Sequence, residues 1–372
     1  MFRKNMVIFG SIIACILLII YSKDAMSAAL NAFQLWLNKL FPALFPFFVC
    51  SSVLQKAGLL NLSSKTLDKI SKALRLPSSA LPVALLSCVS GAPSGARMCG
   101  MLVDDGRMTG DDANLIAPIC NMASPMFIAG SLSIGMLGSP KLAYPVLMAQ
   151  YTSMFLLLSV CGRFKKRNAK AQSALPISLN STNLKNILPS AIYESILAIL
   201  TILGTITFFL VMMRLLSSIQ AIKHILLQGI NLLGKVGISK SICAPFFTGV
   251  LEMTAGCQAI EPAALNVRQV AGLCAFITSF SGGCVYIQSL SFVSLNPKKY
   301  FGIKGLHGIL AGIIAYIMAP LFICGDTLVF AEQIDKAGFL SNAASGAAIL
   351  ASSLLSVAVI FLISAGISKR TQ

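Results

Sequence analysis

Leu85-Leu86-Ser87-Cys88-Val89-Ser90-Gly91-Ala92-Pro93-Ser94-Gly95-Ala96-Arg97-Met98-Cys99-Gly100-Met101-Leu102-Val103 is apolar at both ends and broken in the middle. The enclosing run, 78–103, is long enough to cross about 30 Å of hydrocarbon or to dip in and return. Hydrocarbon offers no water to backbone groups freed at Gly91-Ala92-Pro93-Ser94-Gly95. Such a break persists only where protein or an aqueous cavity satisfies those groups. The segment therefore reads as a re-entrant hairpin whose tip meets a solute. The competing reading is a helix kink, or a tight helix contact through small residues.

The rest of the chain places this segment in a membrane protein. Of 372 residues, 56% are hydrophobic and only 11% charged, with a mean hydropathy of +0.82, against roughly a quarter charged in soluble domains. The surplus apolar surface has to face lipid. Further apolar runs lie at about 6–21, 41–60, 113–137, 141–162, 188–216, 242–260, 268–294, 302–324 and 342–368. Roughly eight to ten membrane elements are expected, several interrupted by Gly, Pro or Ser. The N-terminal run from Met6 to Tyr21 reads as a retained anchor, since no clear small-x-small cleavage site follows it. The fold class expected is an all-α polytopic membrane protein forming one membrane domain, 1–372.

Charge supports this and argues against nucleic acid as a partner. Lys and Arg number 29 against 12 Asp and Glu, a net +17. The cations gather in short links: Arg163, Lys165, Lys166, Arg167 and Lys170; Lys298, Lys299 and Lys304; Lys369 and Arg370. That is the positive-inside pattern and places these links on the cytoplasmic side. Two segments read as helices on the membrane surface. Residues 62–76 set Lys65, Lys69 and Lys72 opposite Leu67, Ile70 and Leu74; residues 27–40 put Leu30, Phe33, Leu37 and Leu40 on one side, with Trp36 suited to the headgroup level.

The polar stretch 163–187 divides the chain into a region of 1–40, a first repeat at 41–162 and a second repeat region at 188–368. Pro46-Phe47-Phe48 in the first half has a counterpart in Pro245-Phe246-Phe247, and Ser90 to Gly95 in Ser279-Phe280-Ser281-Gly282-Gly283. Interrupted helices at matching places point to a repeat-built carrier with its site between the repeats.

Several residues are candidates for that site. If Ser94 caps the half-helix after the break, Arg97 lies in the first turn, where the helix dipole disfavours a cation. The compensating charge is either a bound anion or Asp104 or Asp105. Arg107, Asp104, Asp105, Asp111 and Asp112 read as the solvated end of the hairpin. Glu252 stands in an apolar stretch where an ionised carboxylate costs about 2.5–3.5 kcal/mol. It either binds a coupling proton or cation, pairs with a base, or ends the helix at the interface. Glu194 reads as an acid near a helix N-terminus. Asn121, Ser124 and Pro125 interrupt 113–137, and Gln288 with Ser281, Gly282 and Gly283 forms the second-half equivalent. These residues line a solute path or make helix contacts.

Other chemistries lack material. There is no phosphate-binding loop, zincin motif or nucleophile elbow. His224 and His307 are the only histidines, and the eleven cysteines include no C-x-x-C pair. They suit small packing positions rather than a metal site. No enzyme activity, cofactor or metal is expected.

The segments Ala32 to Trp36, Phe41 to Phe48, Ser90 to Arg97, Asn121 to Ile128 and Phe280 to Gln288 resemble, in order and spacing, a family of sporulation integral membrane proteins among the Gate, or nucleoside-recognition, membrane domains. The resemblance implies repeated halves with broken helices and re-entrant hairpins, similar to concentrative nucleoside transporters. It further implies an inverted-repeat carrier in the outer forespore membrane, needed for spore cortex and core maturation, with dipicolinate as its solute. Arg97 departs from the Lys that many members carry, and the two are not interchangeable in contact geometry. Glu252 falls where these domains often carry an acid. The partners expected are a small anion, the lipid bilayer and a coupling proton or cation; a homo-oligomer is compatible with the sequence. The alternatives are a carrier of nucleosides or other small solutes and a non-transporting membrane scaffold for spore assembly.

Overall fold

The computed structural model describes residues 2–56, 65–164, 184–220, 239–260 and 265–323, and, between 221 and 238, only 224, 228, 230, 231 and 235. The basic residues Lys165, Lys166, Arg167 and Lys170 of the 163–187 link, the run 342–368, Lys369 and Arg370 lie outside the described residues. Every regular element among the described residues is helical.

α1 (Phe2–Ile20) leads into α2 (Ser22–Leu35), which continues through a π-helical stretch (Trp36–Leu40) into α3 (Phe41–Lys56). The wider turn lies just before Pro42 and Pro46, whose missing N–H groups interrupt the ladder. Ser22–Val53 is thus one membrane-length helix, which corrects the surface position expected for 27–40. Trp36 is buried and donates to Ile199 O at 3.0 Å. It holds α3 to another span instead of marking the headgroup level. α4 (Lys65–Ala73) has the expected amphipathic face: Leu67 and Ile70 are half-buried and Leu74 is buried, while Lys69 and Lys72 are exposed. The side chain of Lys65 lies outside the described residues.

Next come α5 (Ala80–Ser90) and α6 (Ser94–Asp104), folded back on each other at Gly91. α7 (Gly110–Cys120) starts at a Thr109 cap, whose Oγ1 accepts from Asp112 N at 3.1 Å. After the unwound stretch 121–124 the chain resumes and enters a π-helical stretch, Phe127–Met136. α8 (Ala143–Phe164) and α9 (Leu184–Ser218) are long. A second hairpin joins α10 (Lys240–Leu251) and α11 (Met253–Gln258) at Glu252, with Gly249 and Gly256 facing each other across it. α12 (Val267–Phe280) opens with an Asn266/Gln269 capping box and runs past a break at Ser281 into α13 (Gly282–Leu290). α14 (Pro297–Phe322) is capped by Asn296, whose side chain accepts from Lys298 N and Lys299 N.

Five helices among the described residues are long and apolar enough to cross a membrane: Ser22–Val53, Pro140–Arg163, Asn186–Ser218, Val267–Leu290 and Pro297–Phe322. α14 shows why. Leu306, Ile309, Ile313 and Ile317 form an exposed apolar stripe suited to lipid, while Tyr300, Lys304, His307, Ala311 and Ala315 are buried on the other side. α3 packs along α9, and α8 along α14.

The two Ser/Gly motifs therefore sit in different kinds of element. Ser90 to Gly95 turns a hairpin, whereas Ser281 to Gly283 interrupts a span. The pairing of one with the other expected from sequence does not hold in the fold, because a short Ser/Gly run marks a helix break without saying whether the chain reverses there.

Candidate solute cavity and the crossing of the broken helices

Gly91 turns the first hairpin at φ +72°, and a methyl group there would come within 2.6 Å of Ser124 Cβ. Only glycine lets the hairpin tip lie this close to the unwound stretch 121–124. Ala92 N donates to Met122 O at 2.6 Å, which fastens the contact. Ser124 Oγ accepts from Phe127 N at 3.1 Å and so restarts the helix after the gap. Tyr151 of α8 donates to Cys88 O at 2.8 Å, and Gln150 Nε2 to Ala123 O at 2.9 Å. The backbone freed by the breaks is thus satisfied by protein, as a membrane interior requires.

The second hairpin repeats this contact with different residues. Glu252 is 2% exposed and caps α11, its carboxylate accepting from Thr254 N at 3.0 Å and Ala255 N at 2.6 Å. Gly282, at φ +74°, has the backbone of Leu251 and Met253 3.1 Å from where a Cβ would stand. Cys284 Sγ lies 3.7 Å from Glu252 Oε1. Among the described residues no base forms an ion pair with Glu252. Glu252 does end α10, and it does so buried in this contact rather than exposed.

The two broken spans then cross. Ala123 N donates to Thr278 O at 3.2 Å, and Ser281 Oγ lies 3.1 Å from Asn121 O. Ser281 adopts a left-handed φ of +66°, uncommon without glycine. Lys304 of α14 closes the crossing. It is fully buried and donates to Asn121 O, to Ser279 O at 2.5 Å and to Ser281 Oγ at 3.2 Å. An ammonium has three donors, and here each has an acceptor. This corrects its assignment to a cytoplasmic basic link: Lys298 and Lys299 are exposed, but Lys304 enters the core.

A cavity of about 740 Å³ opens beside the first hairpin tip, between α3, α6, α9 and α13. Ser90, Ser94 and Arg97 line it from the hairpin, and Gln288 from α13. Lys56 and Glu194 face them, paired at 2.8 Å, and Arg97 lies 4.0 Å from the same carboxylate. Arg97 keeps a side chain 51% exposed. Of the compensating groups considered for Arg97, Asp105 reaches the cavity wall, but the ion-pair partner is Glu194. Glu194 lies beyond the first turn of α9, so it does not serve the helix N-terminus as its sequence position suggests. A smaller pocket of about 50 Å³ shares Phe48, Ala92, Thr205 and Gln288 with this cavity and reaches Ser124 and Glu252. Gln288 Nε2 donates to Thr205 Oγ1 at 2.7 Å at this junction.

No family model matches the chain, and no solved structure matches it. One known protein aligns over 324 residues at 24% identity, covering 81% of this chain and 79% of its own length: the sporulation integral membrane protein YlbJ of Bacillus subtilis (strain 168). The chain is similar to YlbJ along most of its length. The resemblance to sporulation integral membrane proteins is therefore borne out. Similarity to YlbJ and the five long apolar helices together make this a multi-pass membrane protein.

The residues singled out from sequence separate into two places. Ser90, Ser94, Arg97 and Gln288 face the large cavity, and Ser124 and Glu252 the small one. Asn121, Ser281, Gly282 and Gly95 instead build the contacts behind it; Asn121 Nδ2 donates to Ser289 Oγ at 2.6 Å, and Gly95 packs on the Cys120 carbonyl. Gly91 and Gly283 belong to the same contacts, Gly91 against Ser124 and Gly283 against Leu251. Lys56 and Thr205 carry no expectation from sequence, and Glu194 and Lys304 stand in roles other than those the sequence suggests. Lys304 carried a usable signal, since it lies on one helical stripe with Tyr300, His307 and Ala311. The pairing of Lys56 with Glu194 had none, because it joins residues 138 apart.

Proposed function

We propose that the protein is a secondary carrier of a small anionic solute, and that the solute is dipicolinate moved across the outer forespore membrane during sporulation. The observation that carries this reading is Arg97, a half-exposed guanidinium beside a hairpin tip, opening on a cavity of about 740 Å³. That volume lies within the usual range for small-molecule sites, roughly 300–1,000 Å³. Lys56 is committed to Glu194 at 2.8 Å, whereas Arg97 meets the same carboxylate only at 4.0 Å. A planar dianion could take the remaining guanidinium donors in a bidentate contact, with Phe48, Met98 and Phe292 beside its ring. Glu252, buried in the contiguous small pocket, is the group we assign to a coupling proton or cation. No chemical conversion of the solute is part of this reading.

The arrangement also supports membership among the Gate domains and two halves of inverted topology. Each half would consist of a span, a hairpin, a broken span and a span: α3, α5–α6, α7 with its continuation, and α8; then α9, α10–α11, α12–α13 and α14. The pairings of α3 with α9 and of α8 with α14 fit an axis relating the halves. In this scheme Gly91 corresponds to Glu252, and the 121–124 gap to Ser281.

Uptake of radiolabelled dipicolinate into proteoliposomes tests the proposal. Wild type should concentrate the solute, Arg97→Ala should lower the initial rate about tenfold or more, and Glu252→Gln should remove the gradient-driven part. Wild-type rates in both folded variants would discard the assignment of these residues. Competition by uridine but by no dianion would move the solute class to nucleosides.

A further inference from the structure

Lys304 marks a second cation position, separate from the solute cavity. Its ammonium lies where two helices end: Asn121 O belongs to the residue that terminates α7, and Ser279 O to the last turn of α12. Both ends carry the negative pole of a helix dipole. Ser281 Oγ supplies a third oxygen. Among the described residues no carboxylate pairs with Lys304. The charge is held by neutral oxygens alone, as an alkali ion is held where unwound carbonyls and half-helix C-termini converge.

A separate observation concerns the side chains of the same residues. Asn121 Oδ1 and Ser279 Oγ are fully buried and without a hydrogen-bond partner. They belong to the same two residues whose carbonyls grip the ammonium. Buried polar atoms are normally satisfied, so these two oxygens, on residues that already hold the ammonium, are unused coordinating capacity at the crossing. Their number and neutrality suit a small monovalent ion; a divalent ion would call for carboxylates, which are missing from this shell among the described residues.

We infer that Lys304 is a tethered cation filling a latent monovalent-cation site at the crossing of the two broken spans. Wild type carries its own positive charge there and needs no alkali ion to hold the crossing together. Truncating the side chain uncovers the site for sodium, potassium or a small alkylammonium ion.

Thermal unfolding of the purified full-length protein in detergent tests this in sodium, potassium, methylammonium and choline chloride at equal ionic strength. Wild type should melt at the same temperature in all four. Lys304→Ala should melt lower in choline, which is too bulky to enter, and recover with saturable dependence on at least one of the three smaller cations. Survival of the variant through extraction only in a small cation is the same result in stronger form. Melting of Lys304→Ala that ignores the salt, or its loss in all four salts, overturns the inference. So does a saturable rise of the wild-type midpoint with sodium or potassium. The readout is stability, so it stands or falls independently of any transport measurement.

Discussion

Arg97 and Lys304 are both cations placed at helix ends inside an apolar chain, and they are held in opposite ways. Arg97 stands in the first turn of α6, the end that disfavours positive charge, and is half exposed to a cavity with a carboxylate 4.0 Å away. Lys304 stands at the C-terminal ends of α7 and α12, the favourable ends, and is sealed from solvent with every donor satisfied. The first arrangement leaves a charge with donors to offer. The second uses its charge to join two unwound backbones. Substitutions should therefore separate binding from stability along this line.

The largest effect expected is on stability. Lys304→Met removes the donor from three buried oxygens, of which Asn121 O keeps the Ser281 hydroxyl at 3.1 Å; at about 1–3 kcal/mol for each group left unsatisfied, a loss of about 2 kcal/mol or more should appear in reversible unfolding. A loss below about 1 kcal/mol would mean that the crossing does not depend on the ammonium. Gly91→Ala comes next. Its methyl would meet Ser124 at 2.6 Å in a left-handed conformation, and overpacking of this kind costs about 1–3 kcal/mol; Gly106→Ala, also at positive φ but with nothing within 4 Å, separates steric from conformational cost in the same unfolding assay. Smaller still is Lys56→Ala. Its pair with Glu194 is partly exposed, and such pairs contribute about 0–1 kcal/mol. Melting should hardly move, while dipicolinate uptake changes a few-fold because Glu194 then turns fully to Arg97. An unchanged uptake rate would show that Glu194 does not tune Arg97.

The same contrast explains what could be read from the sequence. Breaks at 90–95, 121–125 and 281–283 were legible because Gly, Pro and Ser inside an apolar run have few structural outlets. Glu252 stood out for its cost in hydrocarbon. Lys304 was hidden by its position: it follows Lys298 and Lys299 by under two turns, and counting charges along a link ignores the helical face. Trp36 misled for a similar reason, since an indole suits both a headgroup layer and a buried contact, and only the partner carbonyl of Ile199 decides. The Lys56–Glu194 pair and the kind of break at each motif depend on which helices become neighbours, and local pattern does not encode that.

Equilibrium binding by the purified protein tests the central claim most directly. Calorimetric titration with dipicolinate should give saturable one-site binding to wild type, weakened about tenfold or more in Arg97→Ala and unaffected by uridine, with both proteins melting alike. Equal affinity in the two proteins, or no binding of dipicolinate by a well-folded wild type, would contradict the assignment of Arg97 and its cavity to this anion.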